Sequence, residues 1–522
     1  MCSHHHPLAK NVILMIADGI GFNAWLAADY YSAGHPLPWQ YQNDRWHRGR
    51  RVAVTRSALS TGALNYLAAD GGVLRHNGES GRAPSGAVRR HGRYVTHPQG
   101  YDPEAMWRDF SYAMANDYRG VDANGRPLTY TSYTDSAAAA TALYTGTNTT
   151  NGRVATDPDG EWLVTLAEHF AAKGKGTGCV SSVYVSHATP GVVAAHNLHR
   201  QQLAAIAHHM IEGGVLDVIL APGHPYFDDA GQPVPHPDPA RFALVGGQPL
   251  FERLQRGDHP RWAFAETREA FETLATHPKP PPRLVGIPQV HHTLQYHRPW
   301  TGPKTPLPHL PTGRGPNPGV PELATLTQVA LNVLHQHAKG FFLMVEGGAG
   351  DWANHHNRLD AMVEEQIAFC RAADRAVAWV EAHSSWDETL LIVTADHECG
   401  GLWGAGTYHT PEGGHWHPGG GQFQAFCPVE NRGPGELPPH QYASAHHTNQ
   451  LVPLFALGAG SEAFAGTDKA RDLAAAALWG DAMGWRGHYC DNTTVAEVVR
   501  PSATVTQVAD HIDPSPLLPS SP

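Results

Sequence analysis

Several short stretches of the chain set carboxylates beside imidazoles or hydroxyls in patterns that suit divalent metal ions. In "VEGGAGDWANHH", Glu346 closes an apolar run, Asp351 follows five residues on, and His355 four beyond that. If a helix starts near Asp351, the i, i+4 pair Asp351 and His355 shares one face, and a carboxylate with an imidazole at that spacing suits zinc. His356 points about 100° away on the same helix, so His355 is the preferred donor. In "LLIVTADHECGG", Asp396 and His397 follow a second apolar run. Adjacent strand residues face opposite ways, so both reach one ion only if the chain turns after Ala395, a turn that Gly400 and Gly401 permit. Asp18 ends a third run, "NVILMIAD", and Gly-Ile-Gly follows it. "SAHHTNQLVPLFALG" supplies His446 and His447, either of which could be a further ligand. "SHATPGVVAAHNLHR" supplies His187, Thr189 and Arg200. The Thr189 hydroxyl suits a hard ion such as Mg²⁺, and the planar Arg200 fork matches phosphate oxygens in pairs.

The stretch "YTDSAAAATALYTG" admits two readings of Ser136. It is a helix cap, or it is a nucleophile at a helix N-terminus, where unpaired N–H groups and partial positive charge suit an anion. A serine hydroxyl needs a base or a metal to activate it. No Gly-x-Ser-x-Gly elbow surrounds Ser136 and no histidine-based triad is evident, so a metal is the activator the sequence offers.

These residues need a scaffold that brings distant segments together. "KNVILMIADGIGFNAWLAADYY" reads as a buried strand, a glycine turn and a helix that Asn23 can cap. Its continuous apolar run, Val12–Ala17, fits a parallel strand covered on both faces. Similar units occur at "GKGTGCVSSVYVSHATP" and at "GFFLMVEGG", the latter followed by a helical pattern over His356–His383; "TLLIVTAD" and "QLVPLFALG" add strands. The predicted fold is α/β, with a central, mainly parallel sheet flanked by helices. The donor residues then sit beyond the carboxyl ends of the strands, where ligands bind in open α/β sheets. A single catalytic domain is expected over 1–500, with insertions at about 32–130, 225–322 and 400–445 and a loose tail at 501–522. The density of Pro and Gly in the last two insertions predicts loops or an accessory lobe outside the sheet core.

Composition narrows the function classes. With 41% hydrophobic and 16% charged residues, the 522-residue chain is a folded globular protein. The net charge of −11 argues against nucleic acid as a partner. An anionic substrate must therefore find its positive charge within the site. The basic run "RWHRGRRVAVTR" (Arg45–Arg56) reads as a solvated face. The six cysteines form no Cys-x-x-Cys pair, which argues against a zinc knuckle and leaves room for one or two disulfides. No apolar run approaches the length of about 18 residues that would predict a transmembrane helix. The N-terminus runs into "NVILMIAD" without a leader pattern, so a cytosolic chain or a removed leader is expected. His4–His6 are set aside as a tag-like run.

Taken in order, "NVILMIADGIG", "YTDSAAAATALYTGTNTTNG", "HATPGVVAAHNLHR", "DVILAPG", "FFLMVEGGAGDWANHH", "LLIVTADH" and "HHTNQLVPLFALG" resemble the alkaline phosphatase family. The resemblance implies an alkaline-phosphatase-like fold with crown-type insertions. It also implies hydrolysis of phosphate monoesters at alkaline pH through a phosphoserine, with two Zn²⁺ and one Mg²⁺. Asp18 would bridge the magnesium site and one zinc; Ser136, Asp396 and His397 would complete that zinc site. Asp351, His355 and His447 would hold the other zinc, which selects His447 over His446. Thr189 and Glu346 would complete the magnesium site, Arg200 would clamp the phosphoryl group, and Asp135 would be a positioning residue. His187 and Trp352 stand where the best-known bacterial pattern has Asp and Lys; Trp352 offers no cation, and His187 affects the choice of the third metal. The family's habit also implies a periplasmic or secreted location and a homodimer.

Three divalent ions, four carboxylates, a Ser136 alkoxide and Arg200 leave a surplus of about two positive charges, which suits a monoester dianion. A phosphodiesterase or another hydrolase of the same superfamily is the alternative, and a single negative charge fits that surplus less well. A sulfatase would need Cys or Ser before x-Pro-x-Arg, whereas Ser136 precedes three alanines. A phosphate-binding or metal-storing protein would keep the ligands and have no need of the nucleophile.

Overall fold

The apolar run at the N-terminus forms the middle of the sheet. β1 (Asn11–Ala17) is buried throughout and pairs in parallel on both sides. In the computed structural model, which describes residues 9–61, 65–67, 93–95, 101, 103–108, 113, 118–121, 127–130, 133–299, 307, 310–407, 426–466 and 470–500, ten further strands join it. They are β2 (Thr55–Ser60), β3 (Gly176–Ser181), β4 (Val218–Leu220), β5 (Ala263–Ala265), β6 (Leu284–Gly286), β7 (Phe341–Gly347), β8 (Thr389–Thr394), β9 (Val452–Gly458), β10 (Ala470–Arg471) and β11 (His488–Asp491). The spatial order is β5-β6-β4-β3-β7-β1-β8-β9-β2-β11-β10. Every neighbouring pair from β5 through β8 is parallel, while β9 runs antiparallel to β8 and to β2. The fold is the expected α/β arrangement of a mainly parallel sheet flanked by helices.

Helices cover the sheet. α1 (Phe22–Ala33) follows β1 after a turn. α2 (Ser136–Thr145) is buried along its whole length. α3 (Leu323–Leu334) precedes β7, and α4 (Ala349–His355) and the 25-residue α5 (Leu359–His383) follow it. Asn23 does not cap α1. Its Nδ2 donates to Leu402 O at 2.8 Å, and its Oδ1 accepts from Trp479 Nε1 at 3.0 Å. The N-cap is Gly21. Ala137–Ala140 are fully buried, which shows what the alanine run does: small side chains let α2 sink into the core.

The structure differs from the sequence expectation in two insertions. β2 lies within 32–130, and β5 and β6 lie within 225–322, yet all three belong to the main sheet. β5 and β6 have three residues each, too few to show a period, and prolines flank the second. Positions 62–64, 68–92, the "PEGGHWHPGGG" stretch, Cys2, His4–His6 and the 501–522 tail lie outside the described residues. Cys179, Cys370 and Cys399 are buried thiols, so a disulfide does not use them. Within the basic run, Arg45 meets Glu381, Arg50 meets Asp387 and Arg51 meets Asp44, which makes it an ion-paired face. Among the described residues, no helix is long and apolar enough to cross a membrane.

Candidate functional site

Sheet register places the first carboxylates. Ile16 is level with Glu346 in β7 and with Thr394 in β8. Asp18, Glu346 and Asp396 therefore emerge side by side at the carboxyl ends of the three central strands. Gly19 makes their close approach possible. It adopts φ +74°, and a Cβ there would stand 2.6 Å from Asp351 Cα. Its N–H donates to Asp396 Oδ1 at 3.2 Å, and its carbonyl accepts from Asn354 Nδ2 at 2.9 Å and Cys399 N at 3.1 Å. One glycine thus ties β1, α4 and the segment after β8 together.

α2 brings Ser136 to the same place. The N-cap is Asp135, whose Oδ1 accepts from Ala138 N at 2.9 Å; Ser136 is the first helical residue. The cap reading of Ser136 is thereby corrected. The carboxylate one residue earlier satisfies the helix end, and the hydroxyl is left facing His397 Nε2 at 3.2 Å. The second Asp135 oxygen accepts from Arg200 Nη1 at 3.0 Å and Gly152 N at 2.9 Å. Asn151 Oδ1 accepts from Asp135 N at 2.9 Å, so the Asn-Gly turn after α2 clamps the start of the helix. Asp135 therefore orients Arg200 relative to Ser136. Arg200 Nη2 also lies 3.4 Å from His187 Nε2. Burial, reinforced by Arg200, pushes His187 down to about 3, which makes it a neutral acceptor.

Asp351, His355 and His447 form a second focus. His355 Nδ1 sits 2.7 Å from Ala445 O, and His447 Nδ1 sits 2.7 Å from Thr134 O. Carbonyl oxygens only accept, so each Nδ1 carries its proton and each Nε2 turns inward. The two Nε2 atoms are 3.1 Å apart, and each is 3.4 Å from an Asp351 oxygen. Two ring nitrogens at that separation need a proton or a metal cation between them, and anchoring of the outer nitrogen is how metal-binding histidines are oriented. Asp351 raises His355 to about 9 against the opposing effect of burial. Burial acts most strongly on Asp351 and pushes it up, yet His355 and His447 hold it well below the usual carboxylate range.

The remaining carboxyls behave in the opposite way. Burial first, then Asp396, Asp351 and Glu346, raises Asp18 well above its ordinary value. Burial likewise pushes Asp396 up to about 7 and Glu346 up to about 8. Asp18 Oδ1, Asp396 Oδ2, Glu346 Oε1, Asp351 Oδ1 and His397 Nδ1 are buried atoms without a hydrogen-bond partner among the described residues. Such atoms are rare in folded proteins because each costs desolvation energy. Divalent cations would relieve that cost, so the donor set fits metal ions.

One donor atom from each of Asp351, His355, Cys399 and His447 lies within 4.8 Å of the others; the same holds for Asp18, Asp351 and His397, and for Asp18, His187 and Glu346. Thr189 Oγ1 is 3.5 Å from Asp18 Oδ2, and the Ser181 hydroxyl donates to Glu346. His446 is exposed, with its ring 6.4 Å from that of Tyr133, and His356 bonds the Tyr296 hydroxyl at 2.8 Å; among the described residues neither belongs to one of these donor groups. Trp352 packs its ring 5.6 Å from His187. Sequence reasoning missed Cys399, which sits two residues past His397. A search for paired cysteines passes over it, whereas its place beside an Asp-His pair is the available signal. It also missed Glu398, which accepts from the Thr448 hydroxyl and from Gln450 Nε2 and so joins the His397 and His447 segments. The two segments form a short ladder, with Cys399 opposite His447.

A family model described as alkaline phosphatase matches residues 105–415. The chain is 28% identical over 274 residues to alkaline phosphatase 4 of Bacillus subtilis, covering 52% of this chain and 50% of that one. It is 31% identical over 312 residues to streptomycin-6-phosphate phosphatase of Streptomyces griseus, covering 53% and 63%. The chain spans about half the length of the first curated relatives it matches. Among solved structures, the alkaline phosphatase of the Antarctic bacterium TAB5 superposes with a TM-score of 0.53 at 20% identity, covering 95% of this chain and 98% of that one. That of Thermus thermophilus superposes with a TM-score of 0.51 at 19% identity, covering 94% and 95%. At such identities the likeness is one of fold.

Proposed function

The chain belongs to the alkaline phosphatase family, and from that premise we propose that it hydrolyses phosphate monoesters at alkaline pH through a phosphoserine on Ser136. The observation that carries the reading is the start of α2. There Ser136 Oγ faces His397 at 3.2 Å, and Asp135 holds Arg200 beside the same helix end.

The substrate's phosphoryl oxygens meet the Arg200 guanidinium and the positive end of α2, both of which stabilise negative charge. Ser136 Oγ forms the bond to phosphorus as the bond to the leaving oxygen breaks in line. Water then attacks phosphorus and Ser136 Oγ departs, restoring the hydroxyl. Each displacement inverts the centre, so the overall configuration is retained. Two Zn²⁺ ions held by Asp351, His355 and His447 and by Asp18, Ser136, Asp396 and His397, with a Mg²⁺ held by Asp18, Thr189 and Glu346, would supply the Lewis acidity that activates the entering oxygen and stabilises the leaving one. His187 is neutral and Trp352 carries no charge, so among the described residues Arg200 is the permanent side-chain cation beside Ser136, and product phosphate would leave readily.

The test compares p-nitrophenyl phosphate, its diester and its sulfate with wild-type protein and Ser136→Ala in zinc and magnesium. The monoester is expected to be the fastest substrate, and the variant to lose roughly 10³–10⁵-fold in turnover while keeping its zinc. Unchanged turnover in the variant, or a diester that outpaces the monoester, overturns the reading.

A further inference from the structure

A separate donor cluster stands at the rim of this site. Asp229, His292 and His297 each place one donor atom within 4.8 Å of the other two. The loop carrying Asp229 is closed by its neighbour: Asp228 Oδ1 accepts from Ala230 N and Gln232 N, both at 2.8 Å. With that duty assigned to Asp228, the Asp229 carboxylate reaches across to the other segment. Its Oδ1 accepts from His292 N at 2.8 Å, and its Oδ2 lies 2.9 Å from His292 Nδ1. His297 arrives on a turn fixed by its own N–H, which donates to Thr293 Oγ1 at 3.0 Å. Asn317 Nδ2 donates to Asp229 O at 3.4 Å and steadies the loop from a third side.

An aspartate hydrogen-bonded to one histidine is ordinary loop chemistry. The third donor changes the reading. His297 is exposed, and neither of its ring nitrogens has a hydrogen-bond partner among the described residues, yet the turn closed by its N–H on Thr293 sets it beside the Asp229–His292 pair. Two imidazoles and one carboxylate form a borderline N/O set that suits zinc and its neighbours among divalent transition ions rather than calcium or magnesium. Three protein ligands leave coordination positions open, and the half-exposed setting makes them accessible.

We propose that Asp229, His292 and His297 bind a divalent transition metal ion, zinc by preference, in a site distinct from the buried donors at the strand ends. The ion pins the 224–232 loop to the 291–297 segment. It also places positive charge on the side of the cleft where Trp352 supplies none: the His297 ring is 5.1 Å from Trp352, and Tyr184 lies between His292 and His187, with ring centroids 6.3 and 5.3 Å away. The proposal stands independently of the reaction assigned above.

The experiment measures zinc per chain, by elemental analysis after equilibration at micromolar free zinc. The parent is the full chain with His4→Ala, His5→Ala and His6→Ala, so that the terminal histidines add no ion. His297→Ala, an exposed substitution that leaves the core intact, is expected to bind one equivalent fewer than the parent, as is Asp229→Asn. Cobalt substitution is expected to show the same loss of one equivalent. Equal stoichiometry in the parent and His297→Ala overturns the proposal. So does an additional equivalent that appears only at millimolar zinc.

Discussion

The strand-end donors and the rim donors use the same side chains but are held by different means. Register along β7, β1 and β8 fixes Glu346, Asp18 and Asp396, with Gly19 closing the gap to Asp351. Local turns closed by Asp228 and Thr293 fix Asp229 and His297, and Asp229 itself holds His292. Burial separates them further. Asp18, Asp396 and Glu346 are pushed toward their neutral forms. Burial also pushes Asp229 up, but its bonds to His292 hold it below its ordinary value. The central donors therefore fit imported positive charge, whereas the Asp229 carboxylate of the rim cluster already has His292 as a partner. Catalytic demand and structural tolerance should divide along the same line.

The largest effect is expected from Asp351→Asn, which takes the shared carboxylate from between His355 and His447. Turnover should fall by roughly 10³-fold or more with loss of zinc, read by kinetics and elemental analysis together. A variant that keeps its zinc and its rate would place the central demand elsewhere. Asp135→Asn comes next. It keeps a helix-capping side chain but weakens the hold on Arg200, so kcat/KM should fall by about 10–100-fold with metal content unchanged.

Glu365→Gln separates burial from metal binding, because Glu365 is a buried carboxyl on α5 outside the donor groups. Burial, then Glu364, pushes it up to about 8 from an ordinary 4.5. The folded chain thus keeps a proton that the unfolded chain releases, and this contribution to stability is full below about pH 4.5 and is lost as pH rises through about 8. Replacement with Gln should remove that decline, on the order of 1–3 kcal/mol, in urea melts compared at pH 6 and pH 9. Identical slopes would show that water or movement already relieves the group. The smallest effect belongs to His297→Ala, whose monoester turnover should stay within about threefold of wild type. A loss as deep as that of Asp351→Asn would erase the distinction between the two clusters.

The placement of three carboxylates was legible in the sequence because each follows a continuous apolar strand. Asp18, Glu346 and Asp396 could be placed at strand ends before any coordinates, and the i, i+4 spacing tied Asp351 to His355. Other features depended on contacts that leave no local trace. The cap function of Asp135 was hidden because Asp and Ser are both good caps and sit side by side. β2, β5 and β6 escaped because three to six residues in Pro-rich or half-polar surroundings carry no periodicity. The rim cluster joins loops 63 residues apart, and its histidines sit in a chain with 36 of them, so only folding reveals the meeting.

Gly19 has a consequence for redesign. Where a side chain would touch Asp351 Cα at 2.6 Å, the distance between the two carboxylate-bearing segments is the thickness of bare peptide. No substitution there can widen or narrow the interior by degrees; a methyl group alone has to push the backbone of α4 aside at Asp351. Pocket width is thereby a property of the chain trace, and substrate tuning is left to the side chains at the mouth.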